Sequence, residues 1–252
     1  MPENDLALLL ETVRQAGEIA LRFHNKQPRN WSKPDGTHVT EADIAVDDFL
    51  RDTITAARPD DGWLSEETPD TPARLDKRRL WIADPIDGTR LFLAGEHGWG
   101  VGVALIADGK PLVSAIYCPS QKKFFHAVEG GGAFLNSQPL RCVEQSNKVI
   151  APKTQTAALA ANGLEWVSGS SIPLLLRFTA IVEGTLGGAT TLGDKNDWDI
   201  AAGHLILQEA GGVTTNAHGG GISYNGTIPK QPGVVAATPA QHASLLKCVG
   251  QH

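Results

Sequence analysis

Two carboxylates stand three residues apart in Asp84-Pro85-Ile86-Asp87-Gly88-Thr89, at the end of the apolar run Leu80-Trp81-Ile82-Ala83. Pro85 fixes its own φ and Gly88 permits a sharp turn, so a strand ending this way sends both Asp side chains and the Ile86 carbonyl into one pocket. Oxygen donors with no Cys or His beside them suit Mg²⁺ rather than Zn²⁺. An Asx turn that merely ends a strand has the same local pattern, because Asp and Gly are ordinary turn residues. Further carboxylates separate the two readings. Glu66-Glu67 follow the short apolar step Trp63-Leu64-Ser65 and read as a second strand end. Asp199, in Asn196-Asp197-Trp198-Asp199, precedes Ala202, Leu205, Ile206 and Ala210, which recur at helical spacing up to Gly211-Gly212. Singly, each acid is also an ordinary turn or cap; together they make a set of oxygen donors.

Phosphoryl transfer needs such a set. A phosphomonoester dianion repels hydroxide and expels a poor alkoxide, so catalysis falls to cations that neutralise phosphoryl oxygens and deprotonate a water. Two Mg²⁺ ions roughly 3.5–4 Å apart could share one carboxylate, one presenting the water and the other stabilising the leaving oxygen. Gly88-Thr89 can open a helix through Leu91 and Phe92, with free backbone N–H groups facing a phosphate. Upstream, Thr40-x-x-Asp43 precedes Val46, Phe49, Leu50, Thr53 and Ile54 at helical spacing, which is a capping arrangement whether or not it serves catalysis.

The four segments, taken in order, resemble the inositol monophosphatase superfamily of magnesium-dependent, lithium-sensitive phosphatases from about Lys33 to Gly212. The motif Asp-Pro-Ile/Leu-Asp-Gly-Thr is intact at Asp84 to Thr89, the Glu-Glu motif is at Glu66-Glu67, and Trp-Asp-x-Ala-Ala/Ser-Gly is at Trp198 to Gly203. Lys33-Pro34-Asp35-Gly36-Thr37-His38-Val39-Thr40-Glu41-Ala42-Asp43 is similar to the family's N-terminal Lys and Thr-x-x-Asp segment. The resemblance implies an α+β fold, a layered α-β-α-β-α sandwich with two or three Mg²⁺ ions between its halves. It makes Asp84 the bridging ligand, Glu66 and the Ile86 carbonyl partners at the water-bearing ion, and Asp87 with Asp199 the leaving-group site. Thr89 would polarise the water with Asp43 behind it, and Lys33 would stand near that water.

Substrate selection is expected in the second half. The inositol-specific branch places a Glu several residues before the Trp-Asp motif, whereas this chain has Thr190-Thr191-Leu192-Gly193-Asp194-Lys195-Asn196-Asp197 there. Gly193-x-x-Asn196-x-Trp198-Asp199 is closer to the 3'(2'),5'-bisphosphate nucleotidase branch. Gly169-Ser170-Ser171 matches the family's substrate-side turn, and Gly88 and Thr89 would meet the phosphate. Lys195 is a candidate contact for a second phosphate or a solvated loop lysine. Inositol 1-phosphate, 3'-phosphoadenosine 5'-phosphate, histidinol phosphate and fructose 1,6-bisphosphate are the substrates to separate. A regulatory protein that kept the fold and lost turnover is the rival class, against which the intact acids and Thr89 stand.

The 252 residues suffice for one large domain or two intimately packed halves, with a boundary expected near Val143 to Lys148, giving 1–145 and 146–252. A net charge of −6 and no basic cluster beyond Lys77-Arg78-Arg79, read as a solvated strand edge, argue against a nucleic-acid partner. Three cysteines without CxxC spacing indicate neither a disulfide framework nor a zinc site. No apolar stretch reaches the roughly 20 residues of a membrane span, so a cytoplasmic enzyme acting on a small phosphate ester is expected. The quaternary state is not readable in the sequence; many members of the family are dimers, which by resemblance alone makes a homodimer one alternative. Leu6, Leu9, Leu10, Val13, Gly17 and Ala20 mark a first helix, and Gln27 to Gly36 reads as a loop. Strands are expected at 101–106, 112–117 and 123–127, a turn at Gly130-Gly131-Gly132, then a strand at 149–151, a helix at 156–161, Trp166-Val167, and an apolar run from Leu174 to Val182.

Overall fold

Residues 2–34, 36–169 and 171–250 are described in the computed structural model. Their helices are α1 (Pro2–Phe23), α2 (Glu41–Ala57), α3 (Thr89–Leu93), α4 (Thr156–Ala161), α5 (Leu174–Val182), α6 (Ala201–Glu209) and α7 (Pro239–Val249). Seven strands between Gly62 and Leu140 form one sheet in sequence order, its first pair parallel and the rest antiparallel. A second, five-stranded sheet orders Glu165–Val167, Lys148–Ile150, Gly188–Thr191, Val234–Ala237 and Val213–Thr215.

Strand periodicity explains the layering. Along Arg79–Asp87, Leu80 and Ile82 enter one core while Trp81 and Ala83 enter another, because successive side chains alternate across a sheet. The face with Trp81, Val101, Val103 and Ala115 is covered by Leu9, Val13 and Ala16 of α1 and Val46, Leu50 and Ile54 of α2. The opposite face meets Leu175 and Phe178 of α5 and Leu205 and Ile206 of α6, and these two helices also cover the small sheet. A third cluster packs α4 and α7 on the small sheet's far side through Val149, Leu159, Val235 and Leu245. The result is the α-β-α-β-α sandwich expected above.

Three local readings change. The expected loop from Gln27 contains the strand Asn30–Ser32, paired antiparallel with His38–Thr40; its residues are exposed, so no alternation marks it. Gly132–Leu135 and Gln138–Leu140 extend the large sheet past the glycine turn; both are too short to leave a pattern, and the second is its exposed edge. Arg79 is no solvated edge: its guanidinium lies 3.0 Å from Asp5 and 3.1 Å from Asp61, pinning the start of α1 to the strand that carries Asp84.

Candidate active site

In a regular strand, residues three apart point to opposite faces. Asp84 and Asp87 escape this because the ladder with Gly100–Ala107 slips between them: Asp84 is opposite Gly102 and Asp87 opposite Gly100. The acidic strand thus has one extra residue, a bulge at Pro85-Ile86 where proline's missing N–H costs no ladder bond. Both carboxylates then line one cavity of about 310 Å³. Gly88 ends the strand at φ +96°, and a Cβ there would stand 2.6 Å from Pro173 Cγ and 3.0 Å from the Gly98 carbonyl oxygen. Only glycine fits that corner, and α3 starts directly after it at Thr89.

Glu66 and Asp199 reach the same cavity from other elements. Glu66 follows the strand Gly62–Ser65, where buried Asp47 of α2 accepts from Ser65 Oγ and, at 2.5 Å, from Thr68 Oγ1. Asp199 ends the short turn Asp197–Asp199, whose capping box with Asn196 has the Asn196 N–H donating to Asp199 Oδ2 at 3.1 Å. Asp84 is 1% exposed and its Oδ1 has no hydrogen-bond partner. Burial holds the Asp84 and Asp87 carboxyls well above the usual range, and each is raised further by the other acids of the cavity. Burial, then the field of Glu66, pushes Asp199 up to about 6.

Four acids that repel one another, one with a bare buried oxygen, are a donor set matched to hard divalent cations. Among the described residues no group of three His, Cys, Asp or Glu side chains is set to grip an ion as placed.

Asp43 divides its oxygens between two tasks. Oδ2 accepts from the Thr40 N–H at 2.8 Å and Thr40 Oγ1 at 2.5 Å, closing the capping box of α2. Oδ1 stands 3.2 Å from Thr89 Oγ1, which is also 3.1 Å from the Ile86 carbonyl oxygen. Both acceptors draw the Thr89 proton, leaving the hydroxyl oxygen's lone pairs to accept from a water. Burial pushes Asp43 up to about 6 against the bonds from Thr40.

The remaining expected residues are placed unevenly. The Lys33 ammonium lies 3.0 Å from Glu66 and 2.8 Å from Glu67; burial would lower its pKa, but these partners raise it overall. Burial pushes Glu67 up to about 7 against its bond from Lys33, and the charge of Glu66 adds to the rise. Gly169 lines the acidic cavity, while Ser171 instead lines a smaller neighbouring cavity with Cys118 and Lys123. Gly169 and Ser171 thus do not face the acids together. Ser170 lies outside the described residues. Lys195 lines a second cavity, of about 530 Å³, that shares Gly169, Arg177 and Asp199 with the first.

Arg177 on α5 is the functional candidate the motifs do not announce. Its Nε donates to the Ile172 carbonyl at 3.0 Å and its Nη2 to the Gly169 carbonyl at 3.3 Å, and no carboxylate pairs with it among the described residues. Desolvation holds its pKa below the usual arginine range. A Cβ on Gly169 would meet Nη2 at 2.8 Å and Ile150 Cγ2 at 2.5 Å, so the guanidinium depends on that glycine to reach the junction of the cavities. A lone Arg inside an apolar helical run is the only signal the sequence offers.

The raised carboxyls make stability depend on pH and on cations together. A carboxyl whose folded pKa is raised stabilises the fold fully below its unfolded value near 4 and loses that contribution as pH rises through the folded value, here about 6 for Asp43 and Asp199 and about 7 for Glu67. Chelator-treated protein is therefore expected to melt lower at pH 8 than at pH 5. Saturating Mg²⁺ should raise Tm by about 5 °C or more at pH 8 and far less at pH 5. Equal shifts at both pH values in a thermal melt would contradict a cation replacing protons.

A layered sandwich with acids gathered at one cavity is the architecture of a phosphatase superfamily. A family model described as the inositol monophosphatase family matches residues 1–252, and the chain belongs to that family. Over 234 residues it is 34% identical to a Streptomyces griseus protein named glucose-1-phosphate thymidylyltransferase, covering 87% of this chain and 88% of that one. Over 261 residues it is 31% identical to a histidinol-phosphatase of Chlorobaculum parvum, covering 98% and 96%. It is 30% identical over 234 residues to the 3'(2'),5'-bisphosphate nucleotidase CysQ of Aggregatibacter actinomycetemcomitans, covering 86% of each. A solved IMPase/NADP phosphatase complexed with Mg²⁺ and phosphate shares the fold, with a TM-score of 0.86, 20% identity, and 100% of this chain and 97% of that one covered.

Proposed function

We propose that this chain is a Mg²⁺-dependent phosphomonoesterase whose substrate carries a second anionic group on an apolar, planar body, as 3'-phosphoadenosine 5'-phosphate does. The reaction class rests on one observation above all: Glu66, Asp84, Asp87, Thr89 and Asp199, drawn from separate elements, line the same cavity. Bound there, Mg²⁺ would neutralise phosphoryl oxygens and lower the pKa of a water. Asp84, Asp87, Glu66 and Asp199 would hold the ions together with the Ile86 carbonyl, and Thr89, with its proton committed to Asp43 and Ile86, orients the water. Gly88 lets the start of α3 come close to the phosphate. A pure binding protein needs neither the paired carboxylates nor this oriented hydroxyl.

The substrate class rests on Arg177. A half-buried guanidinium with no carboxylate partner among the described residues, lining the same cavity as Lys195, favours an anion and disfavours the ammonium of histidinol phosphate. Ile150, Ala151, Leu174 and Leu192 give the second cavity apolar walls, which suit a nucleobase better than the hydroxyls of inositol or a hexose bisphosphate. No thymidylyl transfer is proposed, because the acids and Thr89 account for a water nucleophile. We expect kcat/KM for 3'-phosphoadenosine 5'-phosphate to exceed those for inositol 1-phosphate, histidinol phosphate and fructose 1,6-bisphosphate at fixed Mg²⁺. Arg177→Met should lower the first by about a hundredfold and inositol 1-phosphate turnover by much less. A hundredfold preference for inositol 1-phosphate, about 2.7 kcal/mol of transition-state binding, would refute the second-anion reading.

A further inference from the structure

Glu66 and Asp199 reach the same cavity from segments more than a hundred residues apart in the sequence. Something other than these acids must hold their carriers together, and a buried arginine lies between them. Arg74, in the turn Pro72–Asp76, has a side chain only 2% exposed. Its Nε and Nη2 donate to the two carboxylate oxygens of Asp70 at 2.6 and 2.9 Å, fixing the loop that begins at Glu66. Its Nη1 donates to Asn225 Oδ1 at 2.8 Å and to the Gly226 carbonyl at 3.0 Å. Asn225 Nδ2 returns a bond to the Arg74 carbonyl at 3.3 Å, and the Asn225 N–H donates to Asp197 Oδ2 at 3.4 Å. Asp197, wholly buried, also accepts from Gln231 Nε2 at 2.8 Å and opens the turn that ends in Asp199.

We propose that Arg74, acting through Asn225 and Asp197, is a positioning residue that sets the Mg²⁺ affinity of the cavity by holding the Glu66 and Asp199 sides of its donor set in place. Its planar fork holds Asp70 with one edge and the 225–226 loop with the other, a geometry lysine cannot reproduce. Ligand placement tolerates errors of only about half an ångström, so loosening this link weakens ion binding before it alters the chemistry of a loaded site.

Two variants carry the test: Arg74→Lys, which keeps the charge and loses the fork, and Asn225→Gly. The second leaves the Arg74–Asp70 pair in place and suits the left-handed φ of +65° at Asn225, so it folds even where Arg74→Lys does not. Calorimetry with Mg²⁺ alone, well below the melting temperature, is expected to show affinity weakened by about tenfold or more in each. The Mg²⁺ activation constant should rise in parallel while kcat at saturating Mg²⁺ stays within about threefold. Arg78→Ala, which removes an exposed pair with Asp108, should change neither. Lower Tm and kcat with unchanged Mg²⁺ affinity would reduce Arg74 to a fold-stabilising residue and overturn the proposal. Glu66 and Asp199 are ligands only under the function proposed above, so wild-type protein that binds no Mg²⁺ would overturn that reading first and this role with it.

Discussion

Asp87→Asn and Asp199→Asn are each expected to cut phosphate release by about a thousandfold or more while circular dichroism stays that of the wild type. Each change removes an anionic oxygen from a donor set whose charge must balance a divalent cation, and amide oxygens bind Mg²⁺ weakly. The fold should tolerate it, because Asp87 and Asp199 are both raised by burial and by neighbouring acids, so losing one charge relieves repulsion. Chelator-treated mutants at pH 8 should even melt above chelator-treated wild type. Near wild-type turnover in either variant at saturating Mg²⁺ would remove these acids from the metal site.

The second large effect concerns Thr89 and Asp43. Thr89→Ala and Asp43→Asn should each lower kcat by about a hundredfold, within the range of a positioned proton acceptor, and the double variant should be little worse than the worse single one. The coupling is visible as the 3.2 Å contact between Thr89 Oγ1 and Asp43 Oδ1. Because Asp43 Oδ2 separately caps α2, Asp43→Asn also risks part of the roughly 1 kcal/mol of an N-cap. Thr40→Ala isolates that cost. Strictly multiplicative losses in kcat, or an Asp43→Asn defect matched by Thr40→Ala, would leave Asp43 as a cap alone.

Legibility in the sequence follows how local each cause is. Asp84, Asp87 and Gly88 are readable because proline, glycine and the strand end act within a few residues. The helices carrying Asp43 and following Asp199 announce themselves by spacing, as do the strands whose alternation feeds two cores. Exposed edge strands such as Gln138–Leu140 have no buried face and so leave no period. Arg177 and Arg74 are invisible for another reason: a guanidinium's function depends on which carbonyls or carboxylates the tertiary fold brings to it. Ser171 shows the converse, since a turn that matches a family pattern still turns one residue into the neighbouring cavity.

The slipped ladder between Asp84 and Asp87 makes chain length, and not only residue identity, a determinant of this site. Conservative exchanges at Pro85 or Ile86 leave the count of residues intact, whereas deleting either one would erase the bulge and let the strand pair regularly with Gly100–Gly102, keeping both acids on one face but changing which backbone groups, the Ile86 carbonyl among them, face the cavity. Mutational tolerance along this segment should therefore split sharply, with substitutions at the two middle positions graded in effect and single-residue deletions or insertions uniformly lethal to activity.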